Sequence, residues 1–285
     1  MNRLYNLLIL MRPKQWIKNF IIFIPLLFSW SLFNWDSLLN CLIIFFLFSL
    51  FVWSTYIIND YFDIEKDKKH PIKSKRPLAS WKINKYFALV FSVVLISIIL
   101  YYVILYYWID IFMFFIFYLF NTVLYSIILK HKVILDVFSI ALWFVIRWLI
   151  WAYIIWVNMS EWFFLIIFFW ALLLWFLKRY QEVKLWIDTR KNIKEYNAIF
   201  LENIISMLVS IVLFLYTIYT FNSTQSKLFI FTLPIVVFWL IRFYYNIFFM
   251  KKYSSWIEDI VLKDKSIVFS IIIYFILAIY IIYYA

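Results

Sequence analysis

Apolar positions in this chain fall in long unbroken runs, separated by short clusters of charge, asparagine and proline. The runs are about 20 residues long and apolar on every face, the length and pattern of helices that cross a hydrocarbon core about 30 Å thick. Alternation at every second residue is not the pattern, which excludes a transmembrane β-barrel. Read against the charged punctuation, the runs predict nine spans, at about 17–33, 38–58, 86–106, 110–129, 133–156, 162–177, 200–221, 228–249 and 266–284. The predicted fold class is therefore all-α, a polytopic integral membrane protein organised as a single domain over residues 1–285. Only the loops at 59–85 and 178–199 have room for polar chemistry.

Composition agrees with that class. Of 285 residues, 67% are hydrophobic and only 15% charged, against roughly 45 to 50% apolar in soluble domains. The single Cys41 cannot form an intramolecular disulfide. No small-residue cleavage site follows the first apolar run, so that run is expected to be a retained anchor.

Charge then sets the expected orientation. Twenty-four of the 27 Lys and Arg lie in the N-terminal tail or in every second loop, and the opposite loops hold only Lys227. Since basic residues collect on the cytoplasmic side, the N-terminus is expected in the cytoplasm of a cell membrane and the C-terminus outside. The net charge of +12 follows from that topology and from attraction to anionic headgroups, and calls for no nucleic acid partner. Arg147 and Arg242 fall inside spans. Arg242, near a cytoplasmic end, is read as snorkelling to the surface. Arg147, nearer mid-span, is too costly to face lipid and is expected to face the interior, in an anion-binding or structural role.

Glycine is absent and tryptophan numbers 16, whereas ordinary usage predicts roughly 20 glycines. Trp148 and Trp151 stand on adjacent turns of one span, where close helix packing favours small side chains. Many Trp positions are therefore expected to be glycine in the native protein, as through a codon read differently in its source.

The chemistry concentrates after the second span, in Asn59-Asp60-Tyr61-Phe62-Asp63-Ile64-Glu65-Lys66-Asp67. If the helix continues past the membrane face, Asp60, Asp63 and Asp67 share one stripe. Aligned carboxylates repel unless a cation lies among them, and oxygen ligands select a hard ion such as Mg²⁺, which takes one or two carboxylates and fills its shell with water and substrate phosphate. Four of the chain's 15 acidic residues crowd into this octet, which an ordinary solvated helix end does not explain. Asp60, Asp63, Asp67 and Glu65 are the candidate metal ligands. The basic run Lys68-Lys69-His70-Pro71-Ile72-Lys73-Ser74-Lys75-Arg76-Pro77 follows, and cations beside a metal-carboxylate cluster suit a polyphosphate.

These residues carry a resemblance. Asn59-Asp60-x-x-Asp63-x-x-x-Asp67, followed by His70-Pro71-x-Lys73-x-x-Arg76-Pro77-Leu78-Ala79-Ser80, resembles the UbiA superfamily of intramembrane prenyltransferases. Arg12-Pro13-Lys14-Gln15-Trp16-Ile17-Lys18-Asn19, Tyr125-Ser126-x-x-Leu129-Lys130 and Lys178-Arg179-Tyr180-x-Glu182 are similar to its decaprenyl-phosphate phosphoribosyltransferase branch. The likeness covers about residues 10–195, and more weakly Ser255 to Asp264. It implies a UbiA-type bundle whose active-site mouth faces the cytoplasm. Family members that prenylate an aromatic ring carry a second aspartate-rich motif where this chain has Lys178, Arg179 and Glu182. Relatives often have glycine or a small residue at the positions of Trp81, Trp148 and Trp151, though Trp16 belongs to the family motif.

What the resemblance implies is a transfer of 5-phosphoribosyl from phosphoribosyl diphosphate to a polyprenyl phosphate, with Mg²⁺ as cofactor. Asp60, Asp63 and Asp67 would hold the metal, with Asn59 and Glu65 in support. Lys14, Lys18, Lys73, Arg76, Lys130, Lys178 and Arg179 would meet phosphate, with Tyr125, Arg147 and Glu182 also near substrate. Asp136 either orients a ribose hydroxyl or pairs with a lysine, and the second is preferred. Two other functions stay open: a prenyltransferase moving an isoprenyl chain to an aromatic or other small acceptor, and a lipid transporter or flippase, for which Arg147 alone speaks.

Overall fold

The computed structural model describes residues 6, 9, 10, 19, 34–69, 73–155, 160–185, 193, 195–222, 227–250 and 257–284, with the side chains of 257–259 excepted. Nine α-helices follow one another there: α1 (Trp35–Lys68), α2 (Lys85–Tyr106), α3 (Ile109–Ile127), α4 (Leu135–Ile154), α5 (Glu161–Lys184), α6 (Ala198–Phe221), α7 (Leu233–Phe248), the short α8 (Ile257–Lys263) and α9 (Lys265–Tyr284). No strand occurs among the described residues. Eight helical segments are long and apolar enough to cross a membrane, and they coincide with eight of the nine spans expected. The ninth, 17–33, lies outside the described residues apart from Asn19.

Two boundaries move, each for a physical reason. Helix α1 has 34 residues, about 51 Å of helix, so its last turns project well beyond a core about 30 Å thick. The condition for the acidic stripe is thereby met, and residues 59–68, expected as loop, are helix. Helix α5 likewise runs on to Lys184, because Lys178 to Lys184 contains neither Pro nor Gly to stop it. The seventh span begins as a 3-10 turn, Lys227–Thr232, and Pro234 occupies the first turn of α7, where its missing N–H costs nothing. Helix α8 follows no apolar run and was not expected.

Asparagine side chains cap the starts of α1, α2 and α6. Asn34 accepts from the N–H groups of Asp36 and Ser37, Asn84 from Tyr86 and Phe87, and Asn197 from Ile199. Each such cap is worth about 1 kcal/mol.

The chain forms two compact units, Met1–Leu129 with Ile146–Val157, and Lys130–Val145 with Asn158–Ala285. In unit 1, Trp53, Ile57, Ile64, Leu78, Ile83 and Ala88 form a buried cluster. Close approach of α1 and α2 relies on small side chains, Ser54, Ala88 and Ser92, each with no exposed surface, as membrane helix pairs require. In unit 2, α5 and α6 pack through Leu173, Leu177, Leu201, Ile205 and Leu208, and Trp170 stacks on Trp239 with centroids 4.7 Å apart. Outward faces are apolar, with Ile98, Phe117, Phe214 and Phe269 all exposed. A surface of that kind needs lipid against it.

The tryptophans divide. Trp148 and Trp151 are buried within unit 1. Trp81 differs. Its backbone has φ 57°, the left-handed region that glycine enters without cost and a side chain resists, and its indole is exposed.

Candidate active site

In unit 1 the helical period gathers the acids. Asp60 and Asp67 are buried at the end of α1, and both meet one cation. Arg76 Nη1 donates to Asp60 Oδ1 at 3.0 Å and to Asp67 Oδ2 at 2.7 Å. A tight turn delivers that guanidinium. Residues Lys73–Lys75 form one 3-10 turn, Arg76 N–H returns to the Lys73 carbonyl, and both the amide and the hydroxyl of Ser80 donate to the Arg76 carbonyl. Pro77, Leu78 and Ala79 are buried, with Leu78 in the cluster of Ile57 and Ile64. The Arg-Pro-Leu-Ala-Ser run is thus a packed clamp that fixes Arg76 over the helix end.

The remaining acids are placed differently. Asp63 is half-buried on the same stripe, with Lys66 Nζ 4.0 Å away. Glu65 points to the opposite face, with an exposed side chain bonded to Lys68 at 2.6 Å, and is not brought to Asp60 and Asp67. Asn59 accepts from Ser126 Oγ at 2.9 Å, tying α1 to α3 where Tyr125 is also buried. Lys73 is half-buried in its turn. Among the described residues no three His, Cys, Asp or Glu form a ready metal cage. Two buried carboxylates converging on one cationic centre nonetheless match the donor set of Mg²⁺, which needs only one or two and takes phosphate and water for the rest.

Arg147 is buried in the same unit, on α4. Its Nε donates to Asn19 Oδ1 at 3.1 Å and its Nη2 to the Tyr118 hydroxyl at 2.8 Å, while the guanidinium lies over the Tyr118 ring, 5.3 Å from the centroid. Asn19 donates onward to Ser49 Oγ at 3.0 Å. The interior placement expected of Arg147 is what the structure has.

Unit 2 holds a second cluster, closed to solvent. Asp136 is fully buried and Arg179 nearly so. Arg179 Nε donates to Asp136 Oδ2 at 2.8 Å and its Nη1 to Glu182 Oε2. The Tyr196 hydroxyl donates to Asp136 Oδ1 at 2.7 Å and accepts from the N–H of Ile134 at 2.8 Å. Burial, and then the charge of Asp136, push the Tyr196 phenol above its ordinary range, so it stays protonated and remains a donor. Asp136 thus pairs with an arginine and a tyrosine. Lys130 is buried in the 3-10 turn Leu129–His131, and Lys178 lies over the Trp175 ring, 4.5 Å from its centroid. Arg242, partly exposed near the end of α7, donates from Nε to Asp264 at 3.1 Å, and Asn246 donates to the same carboxylate.

Lys14, Lys18, Trp16, His70 and Asp188 lie outside the described residues. Sequence reasoning missed Tyr196, Tyr118 and Ser126 as members of these clusters. Only Ser126 stood within a quoted motif; the tyrosines belong to none and come from elements remote in sequence.

Comparison with known proteins now bears on this arrangement. The UbiA prenyltransferase family matches residues 20–258. The chain belongs to that family. Among curated UbiA relatives, the decaprenyl-phosphate phosphoribosyltransferase of Corynebacterium glutamicum is 33% identical over 88 residues, which are 30% of this chain and 26% of that protein. The chain thus matches about a quarter of that relative's length. Two solved structures share the fold across the chain. One, a UbiA homologue from Archaeoglobus fulgidus bound to GPP and Mg²⁺, has TM-score 0.71 at 15% identity and covers 97% of this chain and 99% of its own. The other, a digeranylgeranylglyceryl phosphate synthase, has TM-score 0.69 at 21% identity and covers 98% of each chain. The protein is a multi-pass membrane member of a transferase family with the UbiA fold.

Proposed function

We propose that this UbiA protein moves a 5-phosphoribosyl group from phosphoribosyl diphosphate to a polyprenyl phosphate and releases diphosphate. The observation that carries the reading is the pair Asp60 and Asp67 sharing Arg76, in a chain whose α5 end carries Lys178 in place of a second acidic motif, Arg179 beside it being enclosed by Asp136 and Glu182. One carboxylate pair suits one metal-bound diphosphate, and cations suit a separate monophosphate. The partial identity with a phosphoribosyltransferase supports the same pair of substrates. The runner-up, transfer of an isoprenyl chain to a small acceptor, draws support from the GPP-bound neighbour.

In the proposed mechanism a phosphate oxygen of the lipid attacks the anomeric carbon, and the bond to diphosphate breaks with its electron pair leaving on diphosphate. Asp60, Asp63 and Asp67 would hold Mg²⁺, which when bound neutralises charge on the departing group. The anomeric centre becomes cationic, so no covalent residue is needed; alignment and charge suffice. Arg76, partly exposed beside the carboxylates, reaches phosphate oxygens. Lys73 lies in the same turn, and Asn59, anchored by Ser126, keeps the helix end in register. Lys130 and Lys178 supply cations for the lipid phosphate, and Lys14 and Lys18 belong to the same proposal. Glu65, turned away, is left to second-line support. The basic loops support a cytoplasmic mouth for this chemistry, with the N-terminus on the same side.

The test is direct. Purified protein in vesicles with Mg²⁺, labelled phosphoribosyl diphosphate and polyprenyl phosphate is expected to yield labelled lipid. No labelled lipid, with product instead from an isoprenyl diphosphate and an aromatic acceptor, moves the assignment to the runner-up.

A further inference from the structure

Between α3 and α4 the chain takes a turn that few residues tolerate. Ile134 has φ 71°, and a β-branched residue in that region is a genuine outlier. The N–H of Leu135 returns to the carbonyl of Val133 at 2.8 Å, so Ile134 is the centre of a three-residue γ-turn of the rare, strained hand. Such strain survives only where the surroundings over-determine it, and it collects at functional sites.

Here the surroundings are three side chains, Asp136 close by in sequence and Tyr196 and Arg179 from two other segments. The N–H of Ile134 donates to the Tyr196 hydroxyl, and that hydroxyl gives its single proton to Asp136 Oδ1. An ionised carboxylate only accepts, so the direction of both bonds is settled. Arg179 holds the other oxygen of Asp136. Neither Tyr196 nor Ile134 touches a motif of the sequence, yet together they set the exit of a turn bearing Lys130, His131 and Lys132. Lys130 is buried in that turn and the other two are exposed.

We propose that Tyr196 is a positioning residue for phosphate binding: its hydroxyl, braced by Asp136 and Arg179, holds the left-handed Ile134 turn and so presents Lys130-His131-Lys132 in one conformation to a phosphate oxyanion. The inference rests on the reading of Lys130 as a phosphate contact. Its physical basis is pre-organisation. A basic segment already fixed loses less freedom when the anion arrives, and the saving appears as affinity.

The experiment compares wild type, Tyr196→Phe, and Tyr196→Phe with Ile134→Gly, all full-length in lipid nanodiscs. Binding of polyprenyl phosphate is measured directly, and KM and kcat are measured in the labelled-lipid assay. Tyr196→Phe removes the acceptor of the Ile134 N–H and the donor to Asp136, and is expected to weaken lipid-phosphate binding and raise its KM about fivefold, with kcat changed by less than about twofold. Adding Ile134→Gly is expected to restore both, because glycine takes φ 71° without a brace. Unchanged binding in Tyr196→Phe overturns the proposal, and so does lost binding that Ile134→Gly fails to rescue, since a merely structural tyrosine gains nothing from that glycine. If wild type binds polyprenyl phosphate but makes no labelled lipid, the phosphoribosyl reading fails while the binding arm still decides the role of Tyr196. If wild type does not bind it, the phosphate role of Lys130, and this inference with it, is overturned.

Discussion

In unit 1, Asp60 and Arg76 are 16 residues apart and the Arg76 side chain is 28% exposed. In unit 2, Asp136 lies 43 residues from Arg179 and 60 from Tyr196, and the Asp136 and Arg179 side chains are 0% and 1% exposed. Both clusters pair acid with arginine, but water reaches only the first. A guanidinium near water can leave buried carboxylates when another cation takes its place, and Arg76 is the partly exposed member of its cluster. A buried pair broken on one side strands a charge in low dielectric. The first cluster is therefore suited to exchanging partners with a substrate, and the second to holding backbone in place.

Mutations can break that contrast. The largest effect is expected from Asp60→Ala, with turnover in the labelled-lipid assay falling about 10³-fold, close to 4 kcal/mol, while the protein stays inserted and folded; Asp63→Ala is expected to act in the same sense. Activity near wild type in both removes the metal assignment. Next, Arg179→Met is expected to cost about 3 kcal/mol of stability by stranding Asp136, read as a lowered unfolding midpoint in detergent, with Asp136→Asn added to it recovering part of the loss. Arg76→Ala is expected to show a different profile, a smaller fall of the midpoint than Arg179→Met, because Arg76 itself is partly exposed, and a KM for phosphoribosyl diphosphate raised about tenfold. Equal loss of stability in the two arginine variants would erase the distinction drawn here.

Smaller effects sharpen the picture. Trp81→Gly is expected to stabilise by about 1 kcal/mol, because the left-handed backbone at 81 penalises any side chain. An intact mass of 35.4 kDa from the native source would rule out glycine at the Trp positions. The smallest effect concerns acid. Burial raises the carboxyl of Asp264, but bonds from Asn246 and the Ile267 amide and the charge of Arg242 outweigh it and hold the group below the usual 3.8. Its contribution is present above that ordinary value and is lost as pH falls through the lowered one. Asp264→Asn should therefore flatten the acid limb of the unfolding profile.

The acid stripe was legible because a helix repeats every 3.6 residues, so spacing alone places Asp60 near Asp67. The Arg-Pro-Leu-Ala-Ser clamp was legible only as a basic run; its packing of Leu78 against Ile57 and Ile64 was not. Asn59 and Ser126 meet across 67 residues, and no local pattern announces such a meeting.

By itself the sequence determined the membrane class, eight of the spans seen, and the collection of acids and bases at one end of α1, because each depends on run length, period or local charge. Tertiary structure alone decided that Arg76 joins Asp60 to Asp67, that Arg179 is enclosed by Asp136 and Glu182, and that Tyr196 braces a strained turn at Ile134. Those facts depend on which distant segments pack together, and packing in lipid is chosen by side-chain fit and hydrogen bonding between helices, which no single stretch of chain encodes.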